Sequence, residues 1–206
     1  MRALIPLLPF LFMTCAFADD AATAPAARTT IGGNGGTAHR YIIERTFPAG
    51  ALDGVDAAAK KKVNENNATV GVTWVQSYAN ADKTKTYCEY EGPSEAAVRK
   101  AAQLSALPVD KVTEVPVKAG AAAAKASASS LQAHRFIVTQ SGKIDATKGK
   151  ASANGVHWVT SYASADMTKT YAIYEAPSEA AARNAATATG ATVESIMEVP
   201  VTLFPN

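Results

Sequence analysis

Apolar and polar positions fall into two patterns along this chain, and each pattern occurs twice. Short runs rich in β-branched and aromatic residues, at Tyr41-Ile42-Ile43-Glu44-Arg45, Val72–Tyr78, Thr84–Glu91 and Lys111–Val117, predict four strands. Between the first two, Val55, Ala58, Ala59 and Val63 recur at helical spacing within Val55–Asn67, and Lys60-Lys61-Lys62 occupies the solvated side. After Gly92-Pro93, Ser94 is placed to cap a second helix ending near Leu104, with Glu95 in its first turn. Strict alternation along the second strand puts Val72, Trp74 and Tyr78 on one face.

The order then repeats. Gly71-Val72-Thr73-Trp74-Val75-Gln76-Ser77-Tyr78 reappears as Gly155-Val156-His157-Trp158-Val159-Thr160-Ser161-Tyr162, and His39-Arg40-Tyr41-Ile42-Ile43 as His134-Arg135-Phe136-Ile137-Val138. Roughly 28 of about 47 positions are identical from the Trp strand to the second Glu-Val-Pro-Val, which marks a tandem duplication. The second copy lacks about eleven residues after its first strand, so its first helix, expected over Lys143–Asn154, is its weakest element. Strand-helix-strand-strand-helix-strand is the ferredoxin-like order. The predicted fold class is therefore α+β: two ferredoxin-like units, the second shortened, packed sheet to sheet as an intramolecular pseudo-dimer.

Around the copies, Arg2, an apolar stretch Ala3–Cys15 and Ala16-Phe17-Ala18 form a secretory signal pattern, with cleavage expected after Ala18. The expected organisation is a signal peptide (1–18), a disordered tether (19–37), a first unit (38–118), an Ala/Ser linker (119–132) and a degenerate second unit (133–206). The expected location is periplasmic or secreted. Cleavage would leave Cys88 as the only thiol, so packing rather than a disulfide must hold the fold.

Composition narrows the function classes. Of the 206 residues, 48% are apolar, but about a fifth of the chain is alanine, so each core must be small. Net charge is +2 with no long run of one sign, which argues against a nucleic-acid binder. The single apolar run lies at the start, which argues against stable membrane insertion. No nucleophile-elbow serine and no glycine-rich phosphate loop before a helix appears, so enzymatic function is the weaker expectation.

Tyr41…Glu44-Arg45-Thr46-Phe47, Trp74…Ser77-Tyr78, Lys85-Thr86-Tyr87-Cys88…Tyr90, Pro93 and Leu107-Pro108-Val109-Asp110 before Glu114-Val115 together carry a family resemblance. The first copy resembles a family of small bacterial domains of unknown function whose best characterised member is a nickel-binding protein with a dimeric ferredoxin-like fold. The resemblance implies that two such units are fused here, with nickel or another divalent transition metal as the expected cofactor. The second copy keeps Trp158, Ser161, Tyr162, Lys169, Tyr174 and Pro177 but replaces Glu44, Arg45, Cys88 and Glu89 by Thr139, Gln140, Ala172 and Ile173. Copy one is thus expected to keep a site and copy two the fold.

Two sets of candidate residues follow. His39, Glu44, Cys88 and Glu91 are the residue types a transition metal takes, although Cys88 and Glu91 are an odd number apart and face opposite ways. Cys88 reads more simply as a small buried hydrophobe equivalent to Ala172, and Glu44 as a carboxylate paired with Lys85 or Arg99. Trp74, Ser77, Tyr78, Trp158 and Tyr162, with Ser161, are candidates for an aromatic pocket between the sheets, or simply for inter-sheet core. The leading expectation is an exported binding protein for a transition-metal ion with its site in the first unit. The alternative is a small-molecule binding module, or an enzyme of the dimeric α/β-barrel type. The expected partners are a metal ion or a small molecule, and the expected state is a monomeric pseudo-dimer or a weak homo-oligomer.

Overall fold

The computed structural model describes residues 38–120, 133–143 and 155–205, together with the strand Arg28–Thr30. In chain order the elements are β1 (Arg28–Thr30), β2 (His39–Thr46), α1 (Ala57–Ala68), β3 (Thr73–Ala79), β4 (Lys85–Gly92), α2 (Glu95–Leu104), β5 (Lys111–Glu114) and β6 (Val117–Gly120). The second unit follows with β7 (His134–Ser141), β8 (His157–Ala163), β9 (Lys169–Ala176), α3 (Glu179–Thr187), β10 (Thr192–Glu198) and β11 (Val201–Leu203). The signal pattern, most of the predicted linker and the predicted helix of the second copy lie outside the described residues.

One sheet runs β11-β3-β4-β2-β5 and the other β1-β6-β8-β9-β7-β10, all antiparallel. Within each, the unit's own four strands take the ferredoxin-like order, so the α+β expectation holds. Each sheet is extended by a strand from the other unit: β6 pairs with β8, and β11 with β3. The predicted strand Lys111–Val117 is split, and Lys118, expected near a linker, sits within β6. Arg28–Thr30, expected in a disordered tether, pairs with the far side of β6.

The exchange has a local cause. Pro116 and Pro200 lack an N–H and so cannot continue a ladder. Just before them, Val115 N donates to Arg40 O and Val199 N to Arg135 O, each over 2.7 Å, closing the pairing with the home sheet. The chain then crosses to the neighbouring sheet, which covers an edge that would otherwise stand open.

The two sheets bury a shared layer made of Ile42, Tyr78, Tyr87 and Val115 from the first unit and Ile137, Tyr162, Tyr171, Ile173 and Val199 from the second. Outer layers lie under the helices, around Tyr41, Ile43, Trp74, Cys88, Tyr90 and Val98 in unit one and Phe136, Val138, Ala172, Tyr174 and Ala182 in unit two. Side chains of Asp56, Ser94 and Ser178 cap the three helices of the described residues, accepting from Ala59 N, Ala97 N and Ala181 N.

The helices of unit one pack unequally. The α2 helix buries Val98, Ala101 and Ala102, whereas α1 (AAAKKKVNENNA) fully buries only Asn67. A helix whose largest apolar side chain is Val63 cannot fill the space above a sheet carrying Trp74 and Tyr90. That shortfall leaves room for a site.

Candidate ligand cavity of the first unit

A cavity of about 640 Å³ lies between α1, the loop before it, the helix-side face of β2-β4-β3 and the α2–β5 connection. Its apolar wall includes Phe47, Leu52, Val55, Val63, Leu107 and Leu203. The last comes from β11, so the second unit supplies part of the wall. Deeper in the sheet lie Arg45, Trp74, Ser77, Thr86, Cys88 and Tyr90. Lys60 and Lys62 on α1 also line it.

Parity brings these residues together. Tyr41, Ile43 and Arg45 alternate toward the helices on β2, as Thr86, Cys88 and Tyr90 do on β4. On β3 a bulge intervenes: Trp74 opposes Tyr90, but Gln76 opposes Glu89, leaving Val75 extra. Beyond it the parity inverts, so Ser77 joins Trp74 on the helix side and Tyr78 turns to the inter-sheet layer. Trp74 Nε1 donates to Ser77 Oγ over 2.9 Å, which fixes the indole at the cavity wall.

Arg45 is 1% exposed. Its Nη1 donates to Pro108 O, its guanidinium lies 5.6 Å from the centre of the Tyr90 ring, and its Nε has no partner. No carboxylate among the described residues forms an ion pair with it. Burial pushes the Tyr90 hydroxyl up to about 12, against the pull of the Arg45 charge. Cys88, 5% exposed, has its Sγ 3.2 Å from Thr86 Oγ1.

The predicted metal donors do not meet. His39 Nδ1 lies 2.6 Å from Glu114 Oε1, and Glu91 accepts from Arg40 Nη2 over 2.9 Å. Glu44, half-buried on the inter-sheet side, accepts from Tyr171 OH over 2.9 Å, so its partner is neither Lys85 nor Arg99. Cys88 faces the helices instead. His39 and Glu44 are five residues apart on one strand, roughly 16 Å in extended chain, too far for one ion. Among the described residues no three His, Cys, Asp or Glu side chains converge.

The predicted aromatic pocket also needs correction. Of its five members only Tyr78 and Tyr162 lie between the sheets, their hydroxyl oxygens 3.5 Å apart. The bulge at Val75, repeated at Val159, sends Trp74, Ser77 and Trp158 to the outer faces, with Ser161 opposite Ala172. Between the sheets sits a polar cluster the sequence did not single out. Glu89, fully buried, is met by Arg40 Nε at 3.0 Å, Lys118 Nζ at 2.8 Å, Gln76 Nε2 at 2.9 Å and Tyr162 OH at 2.8 Å. Sequence reading also did not single out the buried Arg45. The signal was its replacement by neutral Gln140 in the second copy.

Fold and cavity together define a class: a tandem ferredoxin-like pseudo-dimer with a helix-covered cavity in one half. Residues 41–115 and 122–199 each match the family described as nickel-responsive protein SCO4226-like, and the chain belongs to that family. No curated protein sequence matches it. Among solved structures, it is similar to a monooxygenase candidate from Lactobacillus acidophilus NCFM (10% identity, 82% of this chain and 97% of that chain, TM-score 0.40). It is also similar to the chlorite dismutase of Candidatus Nitrospira defluvii in complex with imidazole (11% identity, 80% of this chain and 90% of that chain, TM-score 0.38). The fold assignment rests on the strand order itself.

Proposed function

We propose that the protein is an exported binding protein whose first unit holds a small organic molecule in the cavity under α1, while the second unit serves as scaffold. The observation that carries this reading is the cavity itself. A volume of about 640 Å³, walled by apolar side chains and holding a few convergent polar groups, lies within the range of small-molecule sites. Export is supported by the signal pattern at residues 1–18. Thermal unfolding of the chain from Asp19 onward, with 1-decanol and 2-naphthol as aliphatic and aromatic probes, tests the cavity. A probe at a hundred times its dissociation constant adds about 2.7 kcal/mol of stability. A saturable rise that is lost when Val63→Trp fills the cavity supports the reading; no rise with either probe counts against it.

The family description favours a second reading, binding of a divalent cation. Its support in the structure is a pair present in both units: His39 with Glu114 and His134 with Glu198, each with Nδ1 and Oε1 2.6 Å apart. An imidazole and a carboxylate suit nickel or zinc. Two donors are half of a four-coordinate set, so the described residues do not complete a closed site. Calorimetric titration with Ni²⁺ distinguishes the readings. Binding lost in a His39→Ala/His134→Ala double variant supports the pairs, and binding unchanged in that variant removes them.

A further inference from the structure

We propose that the ligand of the first unit's cavity is an amphipathic organic acid, with its anionic group received by Arg45 and its apolar body lying against Leu52, Val55, Val63 and Leu107. This rests on the cavity reading and gives the ligand its chemical class.

The argument starts from an imbalance. A guanidinium removed from water needs a counter-charge or a full set of acceptors. Arg45 has neither: Pro108 O accepts from Nη1, Tyr90 supplies a ring face and its hydroxyl, and Nε is unpartnered. Arg40 and Arg135 also keep unpartnered guanidinium nitrogens, but each faces a carboxylate, Glu89 and Glu91 for Arg40 and Glu175 for Arg135. What sets Arg45 apart is that no carboxylate among the described residues pairs with it.

The second unit supplies an internal control. Gln140 occupies the place of Arg45, opposite Thr170 as Arg45 is opposite Thr86. It too is 1% exposed, but it is neutral, and its Nε2 donates to Ala186 O at 2.9 Å and Thr189 Oγ1 at 3.0 Å. The scaffold thus accepts a neutral, internally satisfied side chain at this point. Unit one instead carries a cation able to donate to a carboxylate, sulfonate or phosphate oxygen. Thr86 and Ser77 add hydroxyl groups nearby, and Lys60 and Lys62 line the same cavity, adding positive potential. An apolar wall behind a buried cation is the arrangement that recognises a charged head on a hydrophobic body.

The test compares isosteric probes by calorimetry: decanoate against 1-decanol, and 2-naphthoate against 2-naphthol, on the wild-type chain, Arg45→Gln and Arg45→Lys. In the wild type each acid is expected to bind at least about tenfold more tightly than its alcohol, a difference of about 1.4 kcal/mol. Arg45→Gln, which copies the second unit, is expected to shrink that preference below about threefold; Arg45→Lys keeps part of it. Equal binding of acid and alcohol by the wild type overturns the anionic ligand and leaves the cavity reading standing. A preference undiminished in Arg45→Gln overturns the role of Arg45. Binding of no probe removes both readings. Should Arg45→Gln fail to fold, the wild-type ratio and Arg45→Lys decide the outcome.

Discussion

Tyr162, carried by the second unit, donates its hydroxyl to the Glu89 carboxylate of the first over 2.8 Å, in the layer between the sheets. At the place of Glu89 the second unit has Ile173, so the contact has no symmetric twin. The interface is therefore asymmetric at this position, a carboxylate in one unit standing where the other has an isoleucine. Carboxylate, cation and hydroxyl must arrive together, which favours this pairing of the two units over pairing of like units.

Removing the carboxylate leaves Arg40 (7% exposed) with Glu91 alone, and Lys118 with no acid. Glu89→Ala is expected to cost about 3 kcal/mol, as when one member of a buried ion cluster is lost. Tyr162→Phe, which removes one hydrogen bond to a charged acceptor, is expected to cost about 1.5–3 kcal/mol. Chemical denaturation measures both, and coupling between them in a double-mutant cycle is expected to exceed about 0.5 kcal/mol.

Gly92 and Val98 of unit one correspond to Ala176 and Ala182 of unit two. A Cβ on Gly92 would stand 2.9 Å from Val72 Cγ2 and 3.3 Å from Val98 Cγ2. Gly92→Ala is expected to destabilise by about 1–3 kcal/mol through overpacking. Adding Val98→Ala, which recreates the unit-two pair, is expected to recover part of that loss. The cycle is non-additive if the account is right.

Leu203, half-buried on the exchanged strand β11, lines the cavity, and Pro205 O accepts from Asn64 Nδ2 of α1 over 3.0 Å. The second unit thus closes the cavity of the first. Leu203→Ala is expected to weaken binding of 1-decanol at least about threefold while costing only about 1–2 kcal/mol of stability, below the figure for a fully buried leucine. Calorimetry and thermal unfolding on one preparation separate the two effects.

Burial pushes the hydroxyls of Tyr90 and Tyr174 up to about 12 and those of Tyr78, Tyr162 and Tyr171 above the usual tyrosine range. In each the folded state holds the proton more tightly than the unfolded chain. Their contribution to stability is fully present below the unfolded value of about 10 and is lost as pH rises through the folded values. Stability is expected to fall steeply from about pH 10 toward 12, with tyrosinate absorbance appearing together with the loss of tertiary circular dichroism.

The duplication, strand identity and ferredoxin-like order were legible because identity between copies and a period of two survive without tertiary information. The sides taken by Trp74 and Tyr78 were not. A bulge after Trp74 leaves no mark in the pattern of one strand, since it is defined by the offset against Tyr90 and Glu89 on the next. Strand exchange was half-visible in Pro116 and Pro200, which stop a ladder, but nothing in the sequence states where the chain goes afterwards. The Lys60-Lys61-Lys62 face of α1 showed a polar helix. That such a helix leaves a cavity follows only once Trp74, Tyr90 and Arg45 are seen beneath it.

The most direct test of the central claim uses the tryptophans as opposed reporters. Trp74 lines the cavity of unit one, and Trp158 holds the equivalent position in unit two. Tryptophan emission would be followed during titration with 2-naphthoate in Trp158→Phe, which keeps Trp74, and in Trp74→Phe, which keeps Trp158. The account predicts a saturable change in the variant that keeps Trp74 and none in the variant that keeps Trp158. The same change in both variants, or a change only where Trp158 remains, would contradict a ligand site in the first unit.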